Sequence, residues 1–207
     1  MELIIKRRKG IFFISVAIVI VTLLLTSYTI YTKVQERKTI QKRIETMNSF
    51  INSIEQDLER KLFIAGFRSL FTLENKIIET GSYINNVNSS FQEMFFNGTL
   101  NGQSQTIMLG ATFNDIVRDM QTLGNRIAIN ITLTDPHANI DQIDPWNVRI
   151  TLSGNFTIKD NSNLSSWNTM LFKVGTVPVY YFDDPIYIIS TGSLAITRIN
   201  QRIYASF

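Results

Sequence analysis

Residues 6–10 read Lys-Arg-Arg-Lys-Gly, and residues 11–32 after them read IFFISVAIVIVTLLLTSYTIYT without a single charge. The reading of this junction decides how the rest of the chain is organised. A helix over 11–32 is long enough to cross a hydrocarbon core of about 30 Å. A secretory signal has a shorter apolar region, about 7–15 residues, and closes on small residues in an Ala-x-Ala pattern. Here the run leaves through Thr26-Ser27-Tyr28-Thr29-Ile30-Tyr31, with Tyr28 and Tyr31 placed as interfacial aromatics are. The expectation is therefore a retained transmembrane helix. Lys6, Arg7, Arg8 and Lys9 hold its N-terminus in the cytoplasm by the positive-inside rule. On the other flank Glu36 offsets part of Lys33, Arg37 and Lys38.

The charge distribution narrows the function. The chain of 207 residues carries a net charge of +3. The four cations of 6–9, less Glu2, account for all of it, so everything after Gly10 is neutral. A neutral body behind a basic cap is a topology signal, not a phosphate-binding surface, and no nucleic-acid partner is expected. The absence of cysteine excludes disulfides, thiol catalysis and thiolate metal sites.

Lys9-Gly10 directly before the apolar run resembles the class III signal of type IV pilins. In that family a prepilin-type peptidase cuts after the small residue and the apolar helix is kept as the filament core. The resemblance implies a cut between Gly10 and Ile11, making Lys9, Gly10 and Ile11 the processing site. Ser15 stands where major pilins carry glutamate, and Phe12 is bulkier than usual at the second mature position. Both point to a minor pilin or pseudopilin rather than a main filament subunit.

Past the membrane, apolar residues recur at Ile40, Ile44, Met47, Ile51, Ile54, Leu58, Leu62 and Ala65. Alternating spacings of three and four make an amphipathic or coiled-coil face. No proline occurs before Pro136, and between Gly10 and Gly66 there is no glycine. One helix from Ile11 to the late seventies is expected, closed at Thr80-Gly81-Ser82. Phe50, Phe63, Phe67, Leu70 and Phe71 widen the stripe, which favours docking against a sheet. Short helices are expected over 89–96 and 112–123, the second ended by Gly124, with a loop over 97–102.

From Ile127 the period changes. Ile127, Ile129 and Ile131 alternate with polar or small residues, as do Val148, Ile150, Leu152, Phe156 and Ile158 around Gly154, where a bulge is expected. Further strands are read over 170–174, 177–182, 186–190 and 194–199. Turns are read at Asp135-Pro136, Asp144-Pro145, 160–163 and Asp183-Asp184-Pro185. The fold class is α+β with a mainly antiparallel sheet. The organisation is a basic cytoplasmic leader over 1–10, a transmembrane helix over 11–32, an amphipathic stalk over 33–80, and an extracellular head over 81–207 docked on the stalk. The spaced set Asp144-Pro145-Trp146, Asp160, Trp167 and Asp184-Pro185-Ile186-Tyr187, with the basic anchor, is similar to pilin-like membrane proteins of archaea.

Nothing in the head forms a catalytic pattern. The single histidine, His137, lacks a His-x-x-x-His or paired-carboxylate companion, and a turn role is expected. Asp135, Asp141 and Asp144 do not make a recognised calcium loop. No phosphate loop or Gly-x-Ser-x-Gly is present. Neither enzyme activity, cofactor nor metal is expected. Trp146 and Trp167 are candidates for ligand stacking or, more commonly, sheet packing. Sequons occur at Asn88, Asn97, Asn130, Asn155 and Asn163. Asn97 and Asn163 are the better glycosylation candidates, with Asn88 next, because Asn130 and Asn155 fall in strands. The reading is a pilin-like subunit at the cell surface, held in membrane lipid and assembling with itself or other pilin-like subunits. The alternative is a permanent single-pass anchor with an extracellular module for envelope polymer or a partner protein.

Overall fold

The computed structural model describes residues 2–180 and 182–199, with side chains from Phe12 onward. Its elements are α1 (Glu2–Thr80), α2 (Val87–Asn97), β1 (Thr99–Leu100), β2 (Gln103–Ser104), α3 (Phe113–Arg126), β3 (Ile129–Asp144), β4 (Asn147–Asp160), β5 (Ser166–Pro178) and α4 (Pro185–Ser190). Helices first and an antiparallel sheet after them make the fold α+β. The chain divides into two units, Met1–Phe50 and Ile51–Phe207.

The first unit is helical. Its side chains from Phe12 to Tyr31 are almost all exposed, Phe12 at 72% and Leu24 at 65%. Ile40 and Ile44 are exposed as well.

In the second unit the remaining turns of α1 bury Ile51, Ile54, Leu58, Leu62 and Ala65. The helix closes as expected at Gly81, whose φ of +62° needs no Cβ and whose amide donates to the Ile77 carbonyl. The sheet runs in the order β3-β4-β5, antiparallel throughout. Alternation sorts its faces. Ile129, Ile131, Ile150, Leu152, Phe156, Ile158, Leu171 and Val177 point into the core, and Asn130, Thr132, Arg149, Ser153 and Asn155 point away. α1 lies close on β4 and β5. A Cβ built on Gly175 would sit 2.9 Å from Leu62 Cβ and 2.9 Å from the Phe63 amide nitrogen. One built on Gly66 would meet Ile150 Cδ1 and Val177 Cγ2. Lys173 of β5 then pairs with Glu55 at 3.0 Å and Glu59 at 3.6 Å on the same helix. Phe91 and Phe95 of α2, with Phe113 of α3, fill the adjoining core.

Several expectations are corrected. Asp135-Pro136 is not a turn between strands but a bulge inside the continuous β3, where Thr134 pairs with Asn155 and His137 with Ser153. Gly154 is the residue facing that bulge, with its own pairing to Leu171 unbroken. An edge strand tolerates this proline because no neighbour needs its missing donor. Residues 170–174 and 177–182 do not form two strands; β5 crosses Gly175 without a break and ends at Pro178. Residues 186–190 are helical, since Asp184 accepts from the amides of Ile186 and Tyr187 and Pro185 suits a first helical turn. Residues 194–199 contribute only the bridge between Asp183 and Arg198. α3 continues past Gly124 to Arg126 because a glycine is required there by contact, not by termination: a Cβ would lie 2.8 Å from the Ile129 carbonyl.

The two close approaches predict unequal costs. Gly175→Ala pushes against helix backbone and should destabilise the folded unit by about 1–3 kcal/mol, as overpacking does. Gly66→Ala meets mainly the tip of Ile150 and recovers about 1 kcal/mol of helix propensity, so it should cost less. Urea titration followed by tryptophan fluorescence measures both.

Candidate functional site

The feature with the plainest chemistry is the apolar part of α1. The window of greatest hydropathy has none of its residues buried, and the helix is long and apolar enough to cross a membrane. Leaving Leu, Ile, Val or Phe in water instead of burying it forgoes about 1.5–3 kcal/mol per side chain. Over Phe12, Phe13, Ile14, Ile18, Leu23, Leu24 and Leu25 this exceeds the roughly 5–15 kcal/mol by which a whole domain is stable. The segment needs an apolar surrounding.

Its hydroxyls are compatible with lipid. Thr22 donates to the Ile18 carbonyl, Thr26 to Leu23, Thr29 to Thr26 and Thr32 to Thr29. Each donor is satisfied within the helix, as the absence of water in hydrocarbon requires. Threonine in an apolar run is the sequence signal for this arrangement, and composition alone undervalues it. Lys6, Arg7, Arg8, Lys9, Gly10 and Ile11 lie in the backbone of α1, and their side chains fall outside the described residues.

The polar residues singled out in the head do not converge. His137 Nδ1 donates to the Asp135 carbonyl at 2.9 Å. Asp141 receives both Nε and Nη2 of Arg149, at 3.1 and 2.6 Å, and this holds the guanidinium above its usual pKa. Asp144 accepts from the Trp146 amide and from Asn147 in the β3–β4 turn, bonds that lower its pKa. Asp135 receives Asn155. Each of these acids is thus occupied locally, and among the described residues no group of three or more metal-binding side chains occurs. Trp146 is half-buried at the β3–β4 turn, whereas Trp167 pairs with Ile158 near the far end of the sheet and is 48% exposed. They make no common stacking platform, and Trp167 is not the core residue that its aromatic character suggests.

The sequons separate as well. Asn97 and Asn163 are exposed, Asn163 in the β4–β5 turn. Asn88 is engaged, donating to Asn139 and accepting from the Ile140 amide. Asn130 and Asn155 are on the solvent side of the sheet, so strand membership does not hide them.

Two carboxylates escape a reading from sequence. Glu93 of α2 reaches across the β1–β2 hairpin and accepts from Gly102 at 2.7 Å, Thr99 at 2.9 Å and Asn101 at 3.1 Å. The bond from the Gly102 amide leads in lowering its pKa. Glu74 of α1 lies beside a mostly apolar cavity of about 300 Å³ lined by Leu70, Leu73, Ile77, Phe182, Ile188 and Ile199. Burial raises its pKa, opposed in part by the Asp183 amide that donates to it. Compared with protein-family models, curated proteins and solved structures, the chain matches none.

The Glu93 geometry carries a pH expectation. Its folded pKa lies below the ordinary 4.5, so its contribution is fully present above that value and fades as pH falls through the folded pKa. Glu93→Gln should speed amide exchange at Asn101 and Gly102 at neutral pH. The difference from the unaltered chain should close in acid, as read by hydrogen-exchange mass spectrometry.

Proposed function

We propose that this chain is a pilin-like membrane subunit, held by its N-terminal helix and presenting the α+β head outside the cell. The observation that carries the reading is the junction Lys9-Gly10 ahead of an uncharged helix whose described side chains lie uncovered. A helix of this kind is stable in lipid and equally stable against other apolar helices, because exchanging apolar neighbours for apolar neighbours changes little. It can therefore pass from bilayer to assembly. A prepilin-type peptidase removes residues 1–10 in this scheme, and the subunit then packs with copies of itself or with other pilin-like subunits.

Ser15 favours a minor or assembly-associated subunit. The helix-stabilising charge pairing that a glutamate near the new amino terminus offers in a filament core is absent there, so the chain fits beside a different main subunit. The second reading, an uncut single-pass anchor, rests on Phe12, whose bulk departs from the processed pattern.

Mass spectrometry of the chain from its native membranes decides between them. The expected mature chain starts at Ile11, and Gly10→Arg should leave residues 1–10 attached and abolish surface assembly. Wild-type chain that still carries Lys6–Lys9 would discard the pilin-like reading and leave the permanent anchor.

A further inference from the structure

The two edges of the three-stranded sheet are treated differently. Along β3 the outer backbone groups are taken up by helix side chains. Asn88 accepts from the Ile140 amide, Gln92 donates to the Ala138 carbonyl and Gln121 donates to the Ile131 carbonyl. The bulge at Asp135-Pro136 interrupts the same edge. These are devices that stop a sheet from growing.

β5 has none of them along its thirteen residues. Among the described residues no strand pairs with its outer side and no side chain caps it. Its one charge, Lys173, faces inward to Glu55 and Glu59 and does not blunt the edge. On the solvent face Met170 and Phe172 are 74% and 65% exposed. On the other face Phe63, the helix residue seated against Gly175, keeps 39% of its surface uncovered. Open backbone groups flanked by apolar side chains above and below call for an extended strand rather than a helix or a small ligand.

We propose that the occupant is β5 of a second copy, paired antiparallel about a twofold axis at Leu171. In that register Met170 lies opposite Phe172 of the partner subunit, and the reverse, on the same sheet face. The thioether then meets an aromatic ring on each side of the axis, a favourable contact. Pairs of this kind bring Cβ atoms to about 4.5–5.5 Å. The two Lys173 side chains enter with their charge already balanced by their own glutamates. The product is a continuous six-stranded sheet across two heads. The interface is isologous, so it closes at the dimer.

The absence of cysteine makes the test direct. Full-length chains bearing Met170→Cys and Phe172→Cys are mixed in nanodiscs or detergent and oxidised with oxidised glutathione. The expected result is a disulfide dimer that forms preferentially between the two different variants, over either variant alone. Charge substitution gives the second readout, on residues exposed enough to leave folding intact. Met170→Glu with Phe172→Glu should weaken head dimerisation at least tenfold by sedimentation, and Met170→Lys with Phe172→Glu should restore it. Crosslinks without preference for the mixed pair would overturn the proposal, because association through α1 alone does not select these positions. Restoration failing while circular dichroism stays unchanged would overturn it too, as would a head that is monomeric in every variant.

Discussion

The second unit depends on one close approach, that of the α1 backbone to β5 at Gly175. With no side chain between them, Leu62 and the Phe63 amide rest on the strand itself. This proximity puts Leu58, Leu62 and Ala65 into the core and brings Glu55 and Glu59 within reach of Lys173. It also decides which face of the sheet is covered. Once Ile150, Leu152 and Val177 are turned toward the helices, the period of the strands sends Arg149, Thr151 and Ser153 to solvent.

Order in the loops comes from acids that accept backbone amides. Glu93 ties down the β1–β2 hairpin, Asp144 the β3–β4 turn and Asp184 the start of α4. Thr112 and Asp115 exchange hydrogen bonds as a capping box at α3, and Asp160, itself buried, accepts from Ser162 and Leu164. A chain without disulfides has to hold its connections by other means. Carboxylates at turns do so cheaply because they receive donors that would otherwise face water. The acids that might have suggested chemistry are therefore largely committed to architecture.

The apolar segment of α1 follows another logic. In the head, apolar side chains are covered by protein; from Phe12 to Tyr31 they are not, and the threonine hydroxyls turn inward onto carbonyls. Both facts describe a helix whose solvent is hydrocarbon.

Local sequence determined what depends on neighbours within a few residues. The uncharged run after Gly10, the three-and-four spacing through Ala65, the stop at Gly81 and the alternation of Ile129, Ile131, Ile150 and Leu152 each announce their element, because helix and strand periods are written in the chain itself. Residues 186–190 misled for a local reason: their β-branched content outweighs a cap that only Asp184 and Pro185 supply. What the tertiary structure alone decided lies between distant segments. Gly124 reads as a helix end until the Ile129 carbonyl is seen against it, and Gly175 reads as a strand break until α1 occupies the missing side chain's place. Nor does any spacing reveal that Glu93 holds a loop eight or nine residues away, or that β3 is closed by Asn88, Gln92 and Gln121 while β5 stays open. Such features arise from the packing of surfaces that meet only in the folded chain, where steric exclusion and unpaired backbone groups, not periodicity, set the outcome.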